Sequence, residues 1–171
     1  EYLYAQGHRK IGLIGGKPDQ SRPSLSRLTG SQSAMFRLGL PFEMEKQYAY
    51  ARFSLQSGYT AMEYLLKHCP DITAVFAMSD LMALGAIRAL NDHGLRVPQD
   101  ISVSGYDGIA LGRYSNPRLT TIRQNSERLA QRGAEILLNC IENGSSAVHE
   151  THNSVQCFLG SFIYSISSDT P

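Results

Sequence analysis

The sequence predicts an α/β fold in which helices cover both faces of a parallel β-sheet. Short apolar segments rich in β-branched residues alternate with longer segments whose apolar residues recur at helical spacing. The 171 residues, 42% of them hydrophobic, suffice for one domain with a sizeable core and exclude a disordered chain. Because parallel neighbours must be joined by a crossover, this alternation indicates βαβ units.

Residues 1–116 supply most of these elements. Glu1–Gly7 has the pattern of the end of an amphipathic helix closed by Gly7, so we expect the chain to be a piece of a longer protein. The predicted strands are 10–14, 47–53, 73–77 and 101–103, and the predicted helices are 24–38, 56–68 and 81–93. Ser79 and Asp80 can cap the third helix, and a glycine follows the first and the third and ends each.

Beyond residue 116 the pattern changes. We expect a strand at 119–122 and then a long helix that Ser126 caps and that runs to Asn143 with an apolar stripe. A turn at 144–146 follows. Two short strands are predicted at 155–159 and 162–166, before a tail.

Composition excludes several classes of protein. Sixteen Lys and Arg against 15 Asp and Glu give a net charge of +1, which provides no electrostatic reason for tight binding to nucleic acid or to an anionic membrane. No apolar segment approaches the roughly 20 residues of a membrane span. Three widely spaced cysteines form no disulfide framework and are typical of a reducing compartment. We therefore expect a soluble, intracellular protein.

The candidate site residues follow the predicted strands, because ligands of parallel α/β sheets bind at the carboxyl ends of the strands. The planar fork of Arg27 can bind two oxygens at once. Asp107, between glycines, can accept hydrogen bonds from two vicinal hydroxyls, and Phe53 can stack on an apolar ring face. A solvated arginine, a turn-forming aspartate and a core phenylalanine are the plain alternatives. Convergence of all three on one sheet edge favours a site for a small molecule.

Other motifs predict no chemistry. Residues 12–16 contain three glycines but not the G-x-G-x-x-G spacing of a dinucleotide site, so we interpret Gly15-Gly16 as a tight turn. His149 and His152, near Cys140 and Cys157, lack the paired spacing of a zinc site, and we expect solvated loop histidines and no metal. No G-x-S-x-G nucleophile motif occurs, and no enzyme is predicted.

Five motifs, taken in order, resemble the LacI/GalR family of transcriptional regulators. They are Gly7-His8-Arg9-Lys10-Ile11 before a Gly-Gly pair, Arg27-Leu28-Thr29-Gly30, the segment 77–86 (AMSDLMALGA), the segment 94–107 (GLRVPQDISVSGYD) and the segment 117–124 (PRLTTIRQ). The resemblance covers about residues 1 to 145.

The resemblance implies a periplasmic-binding-protein-like effector domain of type I, with a sugar or sugar derivative bound between two βαβ subdomains. Residues 1–116 would be the C-terminal subdomain. Residues 117–145 would be the strand and helix that return to the N-terminal subdomain, and residues 146–171 the last strands and the tail. Members of this family form homodimers and bind operator DNA through a helix-turn-helix headpiece, which this sequence does not contain.

Residue roles follow from the resemblance position by position. Arg27 corresponds to the arginine that grips ligand hydroxyls or a carboxylate, Asp107 to the carboxylate opposite, and Phe53 to the stacking aromatic. Ser79 stands where some members place an asparagine. The weaker candidates for the cleft are Ser21 and Gln124. Two departures affect specificity, because Ser79 is shorter than asparagine and Gly108 replaces an acidic or amide residue. Leu159-Gly160-Ser161 stands where an Arg-Gly-Ser ending is expected, and this leaves the place of the last strand open.

The expected protein is a cytoplasmic, sugar-responsive regulator that needs no cofactor and does not contact a membrane. Leu84 and Ile87 on helix 81–93 resemble part of the family's dimer interface, with core packing as the alternative. The main functional alternative is an extracytoplasmic sugar-binding protein of a transport system, which shares the fold. The Val97-Pro98-x-Asp100-Ile101 segment and the unpaired cysteines favour the regulator. The lack of a phosphate loop excludes a nucleotide-using enzyme.

Overall fold

The predicted α/β fold is confirmed in a computed structural model, which describes residues 1–116, 118–143 and 155–158. The strands are β1 Ile11–Gly15, β2 Tyr48–Tyr50, β3 Ala74–Ala77, β4 Ser102–Asp107, β5 Thr120–Gln124 and β6 Val155–Phe158. They form one sheet in the order β2-β1-β3-β4-β5-β6, parallel except for β6, which pairs antiparallel with β5. The helices are α1 Tyr2–Ala5, α2 Arg22–Arg37, α3 Met44–Gln47, α4 Leu55–His68, α5 Asp80–Asp92, α6 Leu111–Tyr114 and α7 Ser126–Asn143.

Helices lie on both faces of the sheet, as side-chain alternation along β1 shows. A Cβ at Gly12 would lie 3.0 Å from Leu65 of α4, so this face carries α4. Ile11 and Leu13 face the other way and line a groove beneath α1 and α2. Every residue of β1 is buried, as expected of a central parallel strand.

Helices α4 and α5 pack against each other at their glycines. A Cβ on Gly58 would overlap the backbone of Met82, and one on Gly85 would overlap the carbonyl oxygen of Leu55. The two backbones therefore touch with no side-chain layer between them. This contact fixes the two loops that precede these helices relative to one another.

The glycines predicted to end helices do so. Gly7, Gly39 and Gly94 have φ angles of 94°, 67° and 74° and follow the C-terminal residues of α1, α2 and α5. These are the left-handed conformations that glycine adopts without steric cost. The prediction of a tight turn at Gly15-Gly16 was wrong: Gly15 lies within β1, and a side chain there or at Gly16 would collide with neighbouring side chains.

Several boundaries differ from those predicted, for local reasons. Helix α2 begins at Arg22 rather than at 24, because Pro23 is tolerated in a first helical turn and Ser21 caps it by accepting from the backbone N–H of Ser24 at 3.4 Å. Asn125, not Ser126, caps α7, since its Oδ1 accepts from the N–H of Arg128 at 3.0 Å.

Two strand boundaries also move. The predicted strand 47–53 shortens to β2, because α3 occupies its first residue, whereas β4 extends four residues past 103, to Asp107. The structure places β6 within the predicted strand 155–159. The predicted strand 162–166, the turn at 144–146, His149 and His152 lie outside the described residues. Within those residues, no helix is long and apolar enough to cross a membrane.

The C-terminal helix differs from the others in burial. Leu137, Leu138 and Ile141 of α7 are 62%, 58% and 72% exposed. The described part of the chain therefore leaves much of the apolar stripe predicted for this helix exposed, although Ile136 and Cys140 are half-buried.

Candidate functional site

Arg27 and Asp107 meet at the carboxyl edge of the sheet, as their positions after the strands predicted. The Arg27 guanidinium donates to the carbonyl oxygen of Met78 and to Asp107 Oδ1, the latter at 3.3 Å. It also lies over the ring of Tyr106, 3.9 Å from the centroid. Gln124 Nε2 donates to the same Asp107 Oδ1 at 2.7 Å. One carboxylate therefore joins α2, β4 and β5.

Asp107 is a carboxylate with incomplete compensation. Burial by the surrounding loops raises its pKa, and the nearby charge of Arg27 and the hydrogen bond from Gln124 oppose that rise without cancelling it. Both side-chain contacts found among the described residues go to Oδ1. Among those contacts none involves Oδ2, so this oxygen retains capacity to accept a further hydrogen bond.

The backbone at this turn is in an unusual conformation. Asp107 has φ 111° and Gly108 has φ 75°, both left-handed, and for a non-glycine residue this conformation is unfavourable. In a regular strand, side chain 107 would point to the opposite face from Tyr106. The left-handed turn instead lets the carboxylate meet Arg27, which stacks on Tyr106.

A second carboxylate, Asp80, lies below this turn and was missed as a site residue. It is 0% exposed, and it accepts from Thr121 Oγ1 at 2.5 Å and from the Ile109 N–H at 2.8 Å. Burial raises its pKa, against hydrogen bonds from Thr121, Ile109 and Gly108. The sequence offered one signal, an acid in the short segment between a strand and a helix, but that signal also predicts a helix cap.

The predicted cap of α5 by Ser79 and Asp80 lacks a side-chain hydrogen bond from Ser79. Ser79 occupies the N-cap position without such a bond, and Asp80 is the first helical residue. Ser79 is 3% exposed and directly follows Met78, whose carbonyl oxygen holds Arg27. It therefore lies beside the cluster but offers little surface to a ligand.

Phe53 and Ser21 lie on the neighbouring loops of the same edge. Phe53 is half-buried with φ 53°, and a Cβ on Gly16 would lie 2.9 Å from its ring. The ring thus packs on the start of the β1–α2 loop, which ends at Ser21. The absence of a side chain at Gly16 makes room for the ring.

The two residues predicted for a dimer interface are placed differently. Ile87 is 8% exposed and belongs to the core, whereas Leu84 is only partly buried on the same helix. Among the described residues, no group of three His, Cys, Asp or Glu is arranged to hold a metal ion. Cys140 lies on α7 and Cys157 on β6.

A groove of about 670 Å³ lies on the α2 face of the sheet rather than at its carboxyl edge. Its walls are largely apolar and include Leu13, Met35, Phe76 and Ile122, with Arg27 in its lining. The groove adjoins the polar cluster, because Arg27, Tyr106 and Thr121 belong to both, but it extends away from Asp107 across the face of the sheet.

Comparison with known proteins identifies the family of this chain. Residues 1–159 match the periplasmic binding protein-like domain. The chain belongs to this family. Among curated relatives of this periplasmic binding protein-like domain, the HTH-type transcriptional regulator CelR of Thermobifida fusca is 36% identical over 158 residues, which are 90% of this chain and 46% of CelR. The HTH-type transcriptional repressor PurR of Edwardsiella ictaluri is 44% identical over 140 residues, 82% of this chain and 40% of PurR.

Solved structures agree with these matches. A complex of the transcriptional regulator CelR with cellobiose superposes with a TM-score of 0.89 at 32% identity, over 94% of this chain and 49% of that one. A LacI family regulator from Enterococcus faecium with bound ribose gives a TM-score of 0.83 at 30% identity, over 97% and 60%. The chain spans about half the length of these relatives. The resemblance to LacI-type regulators is thereby confirmed, and these relatives are regulators of transcription rather than enzymes.

Proposed function

We propose that this chain is the C-terminal part of the effector-binding domain of a LacI-type transcriptional regulator, and that it binds a sugar or sugar derivative at the carboxyl edge of its sheet. The observation that carries the proposal is the convergence of Arg27 and Gln124 on the single carboxylate of Asp107. A fork of N–H donors beside a carboxylate matches two vicinal hydroxyls, which need an acceptor and a donor at once. Similarity to regulators solved with cellobiose and ribose supports the same class of ligand.

The ligand would complete contacts that are now incomplete. One hydroxyl would donate to Asp107 Oδ2 while its neighbour accepts from Arg27, and the apolar face of the ring would rest on Phe53. Ser21 and Gln124 remain the weaker candidates for direct contact, and Ser79, at 3% exposure, joins them. Binding needs no covalent step, no metal and no cofactor, and none of these site residues forms a nucleophile–base pair.

The same contacts offer a route from binding to regulation. Gln124 is the last residue of β5, and α7 begins two residues later. A ligand that competes with Gln124 for Asp107 would therefore act on the segment that leads away from this sheet. In the whole protein, which we expect to be a cytoplasmic homodimer, this preference would shift the balance between DNA-binding and DNA-releasing arrangements. Leu84 remains our candidate for the dimer contact, and operator DNA would bind only through a separate headpiece.

Titration of the ¹⁵N-labelled chain with cellobiose and with ribose tests the site directly. Amide shifts should move at 107–109, at Gln124 and at Phe53, while those of the amino-terminal edge, such as Asp71, stay fixed. Shifts confined to other regions, or none with either sugar or with a wider panel of mono- and disaccharides, would contradict the proposal. Sequencing the reading frame upstream of Glu1 separates the regulator from a transport receptor, since the first requires a helix-turn-helix and the second a secretion signal.

A further inference from the structure

Asp80 is a buried carboxylate that faces no cation among the described residues. Its exposed fraction is 0%, and none of the ion pairs found there includes it. A carboxylate removed from water is costly unless several donors surround it. The space for it is specific, because a side chain at Gly105 of β4 would overlap its Oδ1. Capping of α5 alone does not explain why this carboxylate is fully buried against β4.

The donors that surround Asp80 come from two other elements. The backbone N–H of Ile109 donates from the turn after β4 at 2.8 Å, and the backbone of Gly108 also lowers the pKa of this carboxyl. The hydroxyl of Thr121 donates from β5 at 2.5 Å. The first residue of α5 is thus tied to the turn and to the neighbouring strand at once.

This turn needs such a tie because its backbone is left-handed at a residue that is not glycine. Asp107 has φ 111° and Gly108 has φ 75°. These two residues come directly before Ile109, whose N–H donates to Asp80. Unfavourable conformations of this kind persist only where the surroundings fix them. Without the backbone hydrogen bond from Ile109, we expect Asp107 to return to an extended conformation, in which its side chain points away from Arg27.

We propose that Asp80 is a positioning residue of the ligand site, which acts through the 107–109 turn to present the Asp107 carboxylate and through Thr121 to hold β5 in register with it. Asp80 does not touch the ligand in this arrangement. The inference rests on the proposed sugar site for its effect on affinity. Its effect on the turn is independent of any ligand.

Three variants and a matched control test the inference. Asp80→Asn keeps the volume but can no longer accept from both sides, Thr121→Val removes one donor, and Thr121→Ser retains the hydroxyl. Thr73→Val is the control, because the Thr73 hydroxyl bonds His8 at 2.9 Å at the opposite end of the sheet. Hydrogen exchange of the Gly108 and Ile109 amides reports on the turn. Titration with cellobiose and ribose reports on the site.

We expect Asp80→Asn to speed exchange at Gly108 and Ile109 by about tenfold or more, with the β1 amides unchanged, and to weaken the binding of whichever sugar the wild-type chain takes by a similar factor. Thr121→Val should show a smaller change in both readouts, and Thr121→Ser should restore both. Thr73→Val should lower the Tm and move neither. A merely structural role for Asp80 would lower the Tm without this local pattern.

Unchanged exchange and unchanged sugar affinity in a folded Asp80→Asn chain would overturn the inference. If that variant does not fold, the pair Thr121→Val and Thr121→Ser decides: identical behaviour of the two overturns it, and a loss that serine restores supports it. If the wild-type chain binds no sugar, the proposed function fails. Exchange at Gly108 and Ile109 then still decides whether Asp80 holds the turn.

Discussion

The two ends of strand β4 each carry an arginine–aspartate pair, and the two pairs differ in geometry and in charge. Before the strand, Asp100 accepts three hydrogen bonds from Arg96, at 2.7, 2.8 and 2.9 Å. After it, Asp107 receives a single contact from Arg27, at 3.3 Å. Both aspartate side chains are 30% exposed, but Arg96 is 72% exposed and Arg27 only 15%.

The pKa values of the two aspartates shift in opposite directions as a result. Hydrogen bonds from Arg96 lower the pKa of Asp100 to about 2, whereas burial raises that of Asp107 despite its arginine. In the exposed pair, both carboxylate oxygens of Asp100 already accept hydrogen bonds from Arg96. The second pair is less exposed and incompletely hydrogen-bonded, which is consistent with the binding site that we propose there.

The largest loss of stability should come from a substitution that fills the space beside Asp80. Gly105→Ala would push a methyl group onto the buried carboxylate, so we expect the free energy of unfolding to fall by about 2–3 kcal/mol. Gly133→Ala is the control, because nothing lies within 4 Å of that helical position and alanine there should stabilise by about 0.5–1 kcal/mol. Urea denaturation measures both. Equal changes in the free energy of unfolding for the two variants would show that Gly105 is not closely packed against Asp80.

The two arginines should separate binding from surface charge. Arg27→Ala removes the donor fork at the site and leaves Asp107 without its cation, so we expect sugar affinity to fall more than about tenfold. Arg96→Ala removes an equivalent charge at the other end and should leave affinity unchanged. Calorimetric or NMR titration of both variants makes the comparison. A similar loss in both would mean that net charge, not geometry, governs binding.

As the pH is lowered, Asp107 should be protonated before Asp100, so we expect sugar affinity to fall before the stability contributed by Asp100 is lost. Asp107 must be ionised to accept ligand hydroxyls, and its pKa lies above the ordinary 3.8, so affinity should decline as the pH falls through that raised value. Burial raises this pKa, and Arg27 and Gln124 oppose the rise without cancelling it. In Asp107→Asn, affinity is expected to be weak and flat over the same range. A wild-type affinity that stays constant down to pH 3.8 would contradict the assignment.

The smallest effect is expected at the amino end. The pKa of Asp100 is lowered in the folded chain, so its contribution to stability is present above pH 3.8 and lost as the pH falls through about 2. Asp100→Asn should therefore lower the Tm slightly at pH 7 and leave it unchanged near pH 2. Sugar affinity should not move at any pH. A clear loss of binding would instead tie this surface pair to the site.

Much of the fold could be predicted from the sequence because its signals are local. Glycines that end helices and apolar segments that form central strands leave direct traces in residue order. The meeting of Arg27 with Asp107 could also be predicted, since both follow strands of one parallel sheet. The match at Gln124 came from the family resemblance, and the structure gives it a partner in Asp107.

The remaining features depend on contacts between distant segments. Asp80 has the pattern of a helix cap, and only the approach of β5, some 40 residues further along, makes it a buried junction. Gly15 and Gly16 have the pattern of a turn, but the absence of their side chains serves packing against Phe53 and other neighbours. Residue order does not record which side chain a later strand will place opposite.

The close contact of α4 and α5 at Gly58 and Gly85 has a mechanical consequence. Two helices whose backbones touch cannot shift relative to each other through changes of side-chain rotamer, so we expect them to move as one rigid unit. Phe53 lies at the entrance of one helix and Ser79 at the entrance of the other. The α4–α5 contact therefore fixes the distance between the Phe53 loop and the Ser79 loop without any help from Arg27 or Asp107.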